Sequence, residues 1–547
     1  MFVVLKCRTR KQEAGRQNTM KRRAFIQLAG GVATTQWLAG CGGTDSTDET
    51  AAANRRFGSK AMAPAGTRVY QGASGGTVYG GLYANTLVDL VAQAAPNSWI
   101  QVNLNTLYSV WPANDYIPQS STSGPGTPSA VTRCWSSFAW DPLRSRLILY
   151  GGGHANYDGN EVYIFEGSTR QWKLGFYASD VQSYQGSAGE FVTVDGPLHA
   201  PVSAHTYDNT TYLPVLDRYM TFGGACAHTG GSYIVHDGSE TRPSGPYTLD
   251  LTHAGKGWVG GVAGSNVHRG STTNVDLPGA NAWAVRDYYK DHDDPNGVLS
   301  WMTAHISCGS AYVEENGRDV VYFTSRPGLH LHRIEFVDQD YRNDIISRVG
   351  IANNNPNQWD ATLAFDPVKR IVLNLGSVSQ SLFWGWDLSN GVQGNFNVFS
   401  SGLTGPGVAA WLSAFKQMHG IDYDPINQRF VLWSEGGQVF GLRHEGGSLS
   451  SNWSIEELRG PSGTAGVDRP KTRDELDSEP FGVYSKSDTG VTGKWKWARD
   501  LNAFVGLQHT YFGNVWIYKP DNWATPTASR SAQMIEVAAA HQKQISR

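Results

Sequence analysis

Hydrophobic and polar positions along this 547-residue chain repeat one arrangement. A short apolar strand ends in an acid. A turn often rich in Pro and Arg follows, and a second apolar strand runs into Gly or another small residue. A third strand and a later aromatic close the unit. The copies begin at FAWDPLRSRLILYGGG (138–153), HTYDNTTYLPVLDRYMTFGG (205–224), AYVEENGRDVVYFTS (311–325), LAFDPVKRIVLNLG (363–376), IDYDPINQRFVLWSEGG (421–437) and KWARDLNAFVGLQH (496–509). Their anchoring acids Asp141, Asp208, Glu314, Asp366, Asp424 and Asp500 are 67, 106, 52, 58 and 76 residues apart. Repeating units of roughly fifty residues with four strand-like runs predict propeller blades. The expected fold is all-β: a β-propeller of four-stranded blades over 67–525, six to eight in number, with seven as the best count. In the second copy SYIV (232–235) is the expected third strand. Residues 67–115, with Trp99-Ile100-Gln101-Val102, supply a seventh blade or closing strands. The polar stretch 262–302 reads as an inserted loop or lid, and 526–547 as a tail.

Composition agrees with this pattern. The chain holds 63 Gly and 19 Trp, and only 17% of it is charged. Such a chain suits short strands and tight turns rather than coiled coils or disorder. Net charge is −3 with no dominant basic patch, which argues against nucleic acid as partner. On the double glycines Gly151-Gly152, Gly223-Gly224 and Gly436-Gly437, the Tyr or Trp of the third strands and the later Trp, residues 130–525 resemble the kelch repeat and the galactose-oxidase central-domain superfamily. Three of the six copies lack the double glycine. The resemblance implies a propeller.

The first residues read as an address. Lys21-Arg22-Arg23-Ala24-Phe25-Ile26 is a twin-arginine pattern, followed by a mildly apolar stretch to Leu38. Leu38-Ala39-Gly40-Cys41 resembles the bacterial lipoprotein box, with Cys41 as the lipidated residue. Residues 1–41 are thus expected to be leader and signal, with Met20 as an alternative start, and 42–66 a flexible tether. This predicts export through the Tat machinery to the periplasm or cell surface, and membrane attachment through the N-terminal lipid only.

In a propeller, the loop after each second strand and the connection into each first strand share one face. Here that face collects His154, Asn156, Tyr157 and Asp158 from the first copy and Cys226 and His228 from the second. Arg326, Glu435 and His509 follow from the third, fifth and sixth. His199, His205, Tyr207, His305 and His419 sit on the connections. The recurring Arg146, Arg218, Arg370 and Arg429 are expected to pair structurally with the anchoring acids. Residues that occur once are the better candidates for chemistry. Cys226 with His228 and His305 with Cys308 suit zinc or another metal ion, and a Cys226–Cys308 disulfide is the competing reading.

Three functions fit differently. An enzyme cleaving acidic polysaccharide by β-elimination needs a cation for the uronate carboxylate, a base for the C5 proton and an acid for the leaving oxygen. Arg326, His154 or His205, and Tyr157 or Tyr207 would fill these roles. Asn156, Asp158, His305, His419, Glu435 and His509 would line the binding surface. This set is similar in type to the channel-mouth His, Tyr and Arg of propeller polysaccharide lyases such as ulvan lyases. A non-catalytic propeller capturing a glycan or a protein on the same face fits nearly as well. A copper radical oxidase needs a tyrosyl-His pair and a following domain, and the mature chain has no Tyr-His dipeptide.

Overall fold

A computed structural model describes residues 86–113, 127–153, 157–183, 191–227, 233–237, 240–262, 277–291, 308–324, 330–353, 362–375, 381–414, 418–480 and 485–526. The twin-arginine pattern, Cys41, the tether and all but the first residue of the 526–547 tail lie outside them. So do His154, Asn156, His228, His305 and Arg326.

The strands form a β-propeller of six blades, each of four antiparallel strands, with a short parallel fifth strand on two of them, Gln393–Gly394 on blade III and Leu403–Thr404 on blade V. Blade I is Phe138–Asp141, Arg146–Tyr150, Val162–Glu166 and Gln171–Phe176. Blade II is Thr210–Leu213, Arg218–Thr221, Tyr247–Leu249 and Trp283–Val285. Blade III is Ser310–Glu315, Arg318–Thr324, Leu331–Phe336 and Ile345–Ile351. Blade IV is Thr362–Asp366, Ile371–Leu375, Phe383–Asp387 and Phe396–Val398. Blade V is Gly420–Asp424, Arg429–Trp433, Val439–His444 and Trp453–Arg459. Blade VI takes Trp495–Ala498, Ala503–Gln508 and Asn514–Lys519 from the C-terminal end and Ser98–Gln101 from the N-terminal end as its outer strand. Each first strand packs against that of the next blade, and the sixth against the first.

The ring therefore closes at six blades, not seven. Ile100 pairs with Ile517 in the closing strand. Blade II also differs from its expected register. Its first strand begins at Thr210, so HTYD is the connection leading in. Ile234–Asp237 and Glu240–Pro243 form a separate hairpin ahead of the true third strand, Tyr247–Leu249. Trp283–Val285, inside the expected insertion 262–302, is the blade's outer strand.

The core is a set of seams between blades, and the second strands show why. In blade I, Leu147 and Leu149 pack toward blade VI, whereas Ile148 and Tyr150 pack toward blade II. In blade III, Val321 and Phe323 face blade II, and Val320 and Tyr322 face blade IV. Each sheet is covered on both sides, so its middle strands are continuous apolar runs rather than alternating ones. The remaining seams join blades IV and V and blades V and VI, the last around Trp99, Trp433 and Trp495.

The recurring arginines pair differently from expectation. At the start of their second strands, Arg146 meets Glu166 at 3.0 Å and Arg218 meets Asp250 at 3.0 Å, both at the far end of the third strand. Arg370 reaches Glu315 in the preceding blade at 2.6 Å. Only Arg429 faces its own blade's acid, Asp424, at 3.7 Å. The turn acids instead tie neighbouring blades. Asp500 accepts from Trp140 Nε1 at 2.6 Å, and Arg144 forks onto Asp217 with two bonds of 2.7 Å.

Candidate functional site

The loops after the second strands and the connections into the first strands lie at one end of the ring, as topology requires. Two glycines let them close together. Gly153, at φ +55°, sits where a Cβ would come within 2.1 Å of the His205 nitrogen. Gly493, at φ +69°, leaves no room for a Cβ beside the Tyr207 carbonyl, 2.1 Å away. The loop of blade I and the connection into blade VI are thereby pressed onto the segment that leads into blade II.

Several expected residues are turned inward. Tyr157 is 2% exposed and packs against Trp111 with ring centroids 5.5 Å apart. Asp158 is also buried. His205 and Tyr207 are fully buried beneath Trp135, whose ring lies 5.0 and 6.1 Å from theirs. His419 lies against Trp411 at 5.0 Å, and burial pushes it down to about 3, so it stays neutral through the physiological range. Tyr157, Asp158, His205, Tyr207 and His419 are thus buried, which corrects the surface positions expected for them. The half-buried Trp135 is the ring of its cluster that reaches solvent.

The thiols do not form the Cys226–Cys308 bridge that competed with the metal reading. Cys134, Cys226 and Cys308 are in no disulfide, and Cys226 and Cys308 belong to different seams. Burial pushes the Cys226 thiol up, away from the thiolate that metal binding needs. Among the described residues no three His, Cys, Asp or Glu side chains are grouped to hold a metal.

Glu435 and His509 do meet. Together with Thr132, Ser487, Lys494 and Gln508 they line one small cavity between blades V and VI. Each sits just after its second strand, where blades I and II carry the positive-φ residues Gly151 and Gly223. Glu435 has φ +70° and His509 φ +69°, a conformation that costs a side-chain-bearing residue about 1–3 kcal/mol. Trp135 and Tyr207 share it, at +40° and +48°. The same conformation recurs in the turns of the opposite face, at Ser145, Asp217, Asn316, Arg370, Gln428 and Asn502, so it is the side chains at 435 and 509 that set this loop face apart.

The electrostatics differ between the two residues. Burial pushes Glu435 up to about 7, against the nearby positive charges of Arg473, Lys494 and Lys486. His509 is held at both nitrogens: Nδ1 accepts the Phe512 N–H at 3.1 Å, and Nε2 faces Glu479 Oε2 at 2.6 Å. The ring is thereby oriented, and beside it Glu435 is a carboxyl that burial brings into the range where it can exchange protons near neutrality. Lys471 also contacts Glu479. Although burial opposes it, contact with His509 and Lys471 holds Glu479 down to about 2.

Sequence reasoning missed Trp135, Glu479, Arg473 and Lys494. Three of them lie on 460–494, the connection between blades V and VI. Its signal was available, since it is a charged segment far longer than most connections in a compact fold. It docks by Trp135 N donating to Thr489 Oγ1 at 2.8 Å and by a capping box on the helix Arg473–Asp477.

Beneath this face the channel is crossed by charge. Asp208, fully buried, accepts from Thr362 Oγ1 at 2.6 Å and the Leu363 N–H at 3.1 Å, and pairs with Lys496. These partners belong to blades IV and VI, while Asp208 leads into blade II. No two of these blades are neighbours, so the contact spans the propeller axis.

No family model matches the chain, and no curated protein matches it. Among solved structures, the catalytic domain of Coprinopsis cinerea GH62 alpha-L-arabinofuranosidase is similar at 11% identity and a TM-score of 0.24, over 66% of this chain and 96% of that one.

Proposed function

We propose that this chain is an exported, lipid-anchored propeller that engages acidic glycans on its loop face and cleaves them by β-elimination. The observation that carries this reading is Glu435. It is a carboxyl held in a left-handed backbone conformation, titrating near 7, in a cavity shared with Lys494 and flanked by Arg473. β-Elimination at a uronate requires a cation to neutralise the carboxylate and so acidify C5–H. It also requires a base to take that proton as the C4–O bond breaks and the C4–C5 double bond forms, and a proton for the departing oxygen. Arg473 and Lys494 supply positive charge; Glu435, ionised at and above about pH 7, takes the C5 proton and, once protonated, delivers it to the departing oxygen, which returns the carboxylate to its starting state. Half-buried Trp135 offers a face on which a sugar ring stacks. The leader pattern ending at Cys41 supplies export and anchoring.

The experiment is incubation of the mature protein with alginate, pectate, hyaluronan and ulvan, following ultraviolet absorbance of unsaturated ends. Absorbance should rise on one of these polymers. Glu435→Gln should lower kcat by about 100-fold or more, with little change in KM. Retained binding with no absorbance gain on any polymer leaves a capture module and overturns the lyase reading. That second reading is favoured by the tight packing around His205 and Tyr207.

A further inference from the structure

A large cavity lies on the opposite face, where the turns between first and second strands converge. It occupies about 710 Å3 and is lined by the first strands of all six blades. That volume falls within the roughly 300–1,000 Å3 typical of small-molecule sites. Each blade contributes one aromatic to its wall: Trp140, Tyr212, Tyr312, Phe365, Tyr423 and Trp497.

The polar ends of several of these rings are tied back into the turns. Trp140 Nε1 donates to Asp500, Tyr212 Oη to Asp217, and Tyr312 Oη to Asp319 at 2.9 Å. What they contribute to the cavity wall is therefore hydrocarbon and π surface. Charge in the cavity is mostly paired. Lys496 is matched by Asp208, and Arg499 Nη1 meets Glu314 Oε2 at 3.3 Å. Two hydrogen-bonding capacities remain. Arg499 Nε and Nη2 are buried without a partner, and its guanidinium lies 5.6 Å from the Tyr312 ring centroid. Asp422 lines the cavity with a carboxylate whose bonds are to the backbone N–H groups of Tyr423 and Trp497. Unused donors, an available acceptor, near-balanced charge and an aromatic wall together match one ligand chemistry. An anion would meet Asp422 and Glu314, a cation would meet Lys496 and Arg499, and a purely apolar ligand would leave the guanidinium unpaired.

We infer that the turn-face cavity is a second binding site, taking a neutral polyhydroxylated ring such as a free mono- or disaccharide. The site stands apart from the loop face and does not depend on the reading proposed for that face. Asp422 hydrogen-bonds a ring hydroxyl, the partly exposed Arg499 side chain turns its enclosed donors toward a second, and the aromatic wall packs against the C–H faces of the sugar.

The test is titration of the full mature chain with glucose, galactose, mannose, xylose, maltose and cellobiose, read by calorimetry and by fluorescence of Trp140 and Trp497. One of these sugars should bind at one site per chain. Arg499→Gln, at a partly exposed position, should weaken it about tenfold. Thr211→Trp, which fills the cavity from a half-exposed position, should abolish it, while thermal unfolding shows both variants folded. Glu435→Gln, on the other face, should bind as the parent does. The inference fails if none of these sugars binds at tens of millimolar. It also fails if binding survives Arg499→Gln and Thr211→Trp, or if Glu435→Gln removes it.

Discussion

Glu435 and His509 occupy positions where their sister blades use glycine, and each keeps a side chain at the expense of backbone strain. Replacing Glu435 with Gly isolates that trade. The Glu435→Gly variant should unfold in urea at a midpoint equal to or above the parent's. Relief of strain is worth about 1–3 kcal/mol and is offset by about 0.5–1 kcal/mol of added chain freedom. The same variant should lose turnover on the polymer that the parent cleaves. A marked loss of stability would show Glu435 to be a packing residue. The pair was legible in the sequence as polar residues that occur once, in loops that follow second strands. His205, Tyr207 and His419 were not separable from it that way. Whether a loop residue faces solvent depends on the aromatics that settle over it, here Trp135 and Trp411, which lie far from the motif in sequence or outside it.

At the scale of the strand, Asp208 shows how a repeat misleads. HTYD reads like FAWD, LAFD and IDYD, yet the first strand of blade II starts two residues after Asp208. Asp217 takes the turn role, bonded to Arg144, and Asp208 is released to cross the axis. Its replacement by Ala would leave the Lys496 ammonium without its carboxylate. Broken buried pairs of this kind cost about 3–5 kcal/mol, readable as a lower urea midpoint at unchanged slope. Ring closure is likewise a matter of elements. The repeat located the paired strands of five blades well, because adjacent apolar runs with a Pro-containing or Gly-containing turn are local signals. It left open whether 98–101 begins a blade or ends one, because that pairing joins residues over 400 positions apart. Trp99 sits at this junction. It donates from Nε1 to the Gly437 carbonyl at 3.0 Å, and its ring centroid lies 5.2–5.5 Å from those of Trp433, Trp495 and Tyr518. Trp99→Ala should destabilise by about 3–5 kcal/mol.

Across the whole molecule, the turn-face acids and Glu435 bias stability in one direction with pH. Burial pushes Asp141, Asp319 and Asp422 up to about 6, and Asp500 and Glu435 up to about 7, from ordinary values of 3.8 for Asp and 4.5 for Glu. Between those ordinary values and the raised ones, the folded chain holds protons that the unfolded chain has released. Unfolding then releases protons, and stability falls as pH rises through this window. Glu475, held down to about 2 by its Arg469 hydrogen bonds, and Glu479, likewise at about 2, act in the opposite sense. Their stabilisation is present above about 4.5 and is lost as pH falls toward 2. The two sets together place maximum stability at mildly acidic pH. The melting temperature should peak near about pH 5, fall by several degrees toward about pH 8 and drop steeply below about pH 4. Asp500→Asn keeps the shape of the side chain that receives Trp140 and Ser145 but removes one proton-binding site, so it should flatten the alkaline limb of that curve. An unchanged limb in Asp500→Asn would show that the acids between the blades titrate in the folded ring as they do in the open chain.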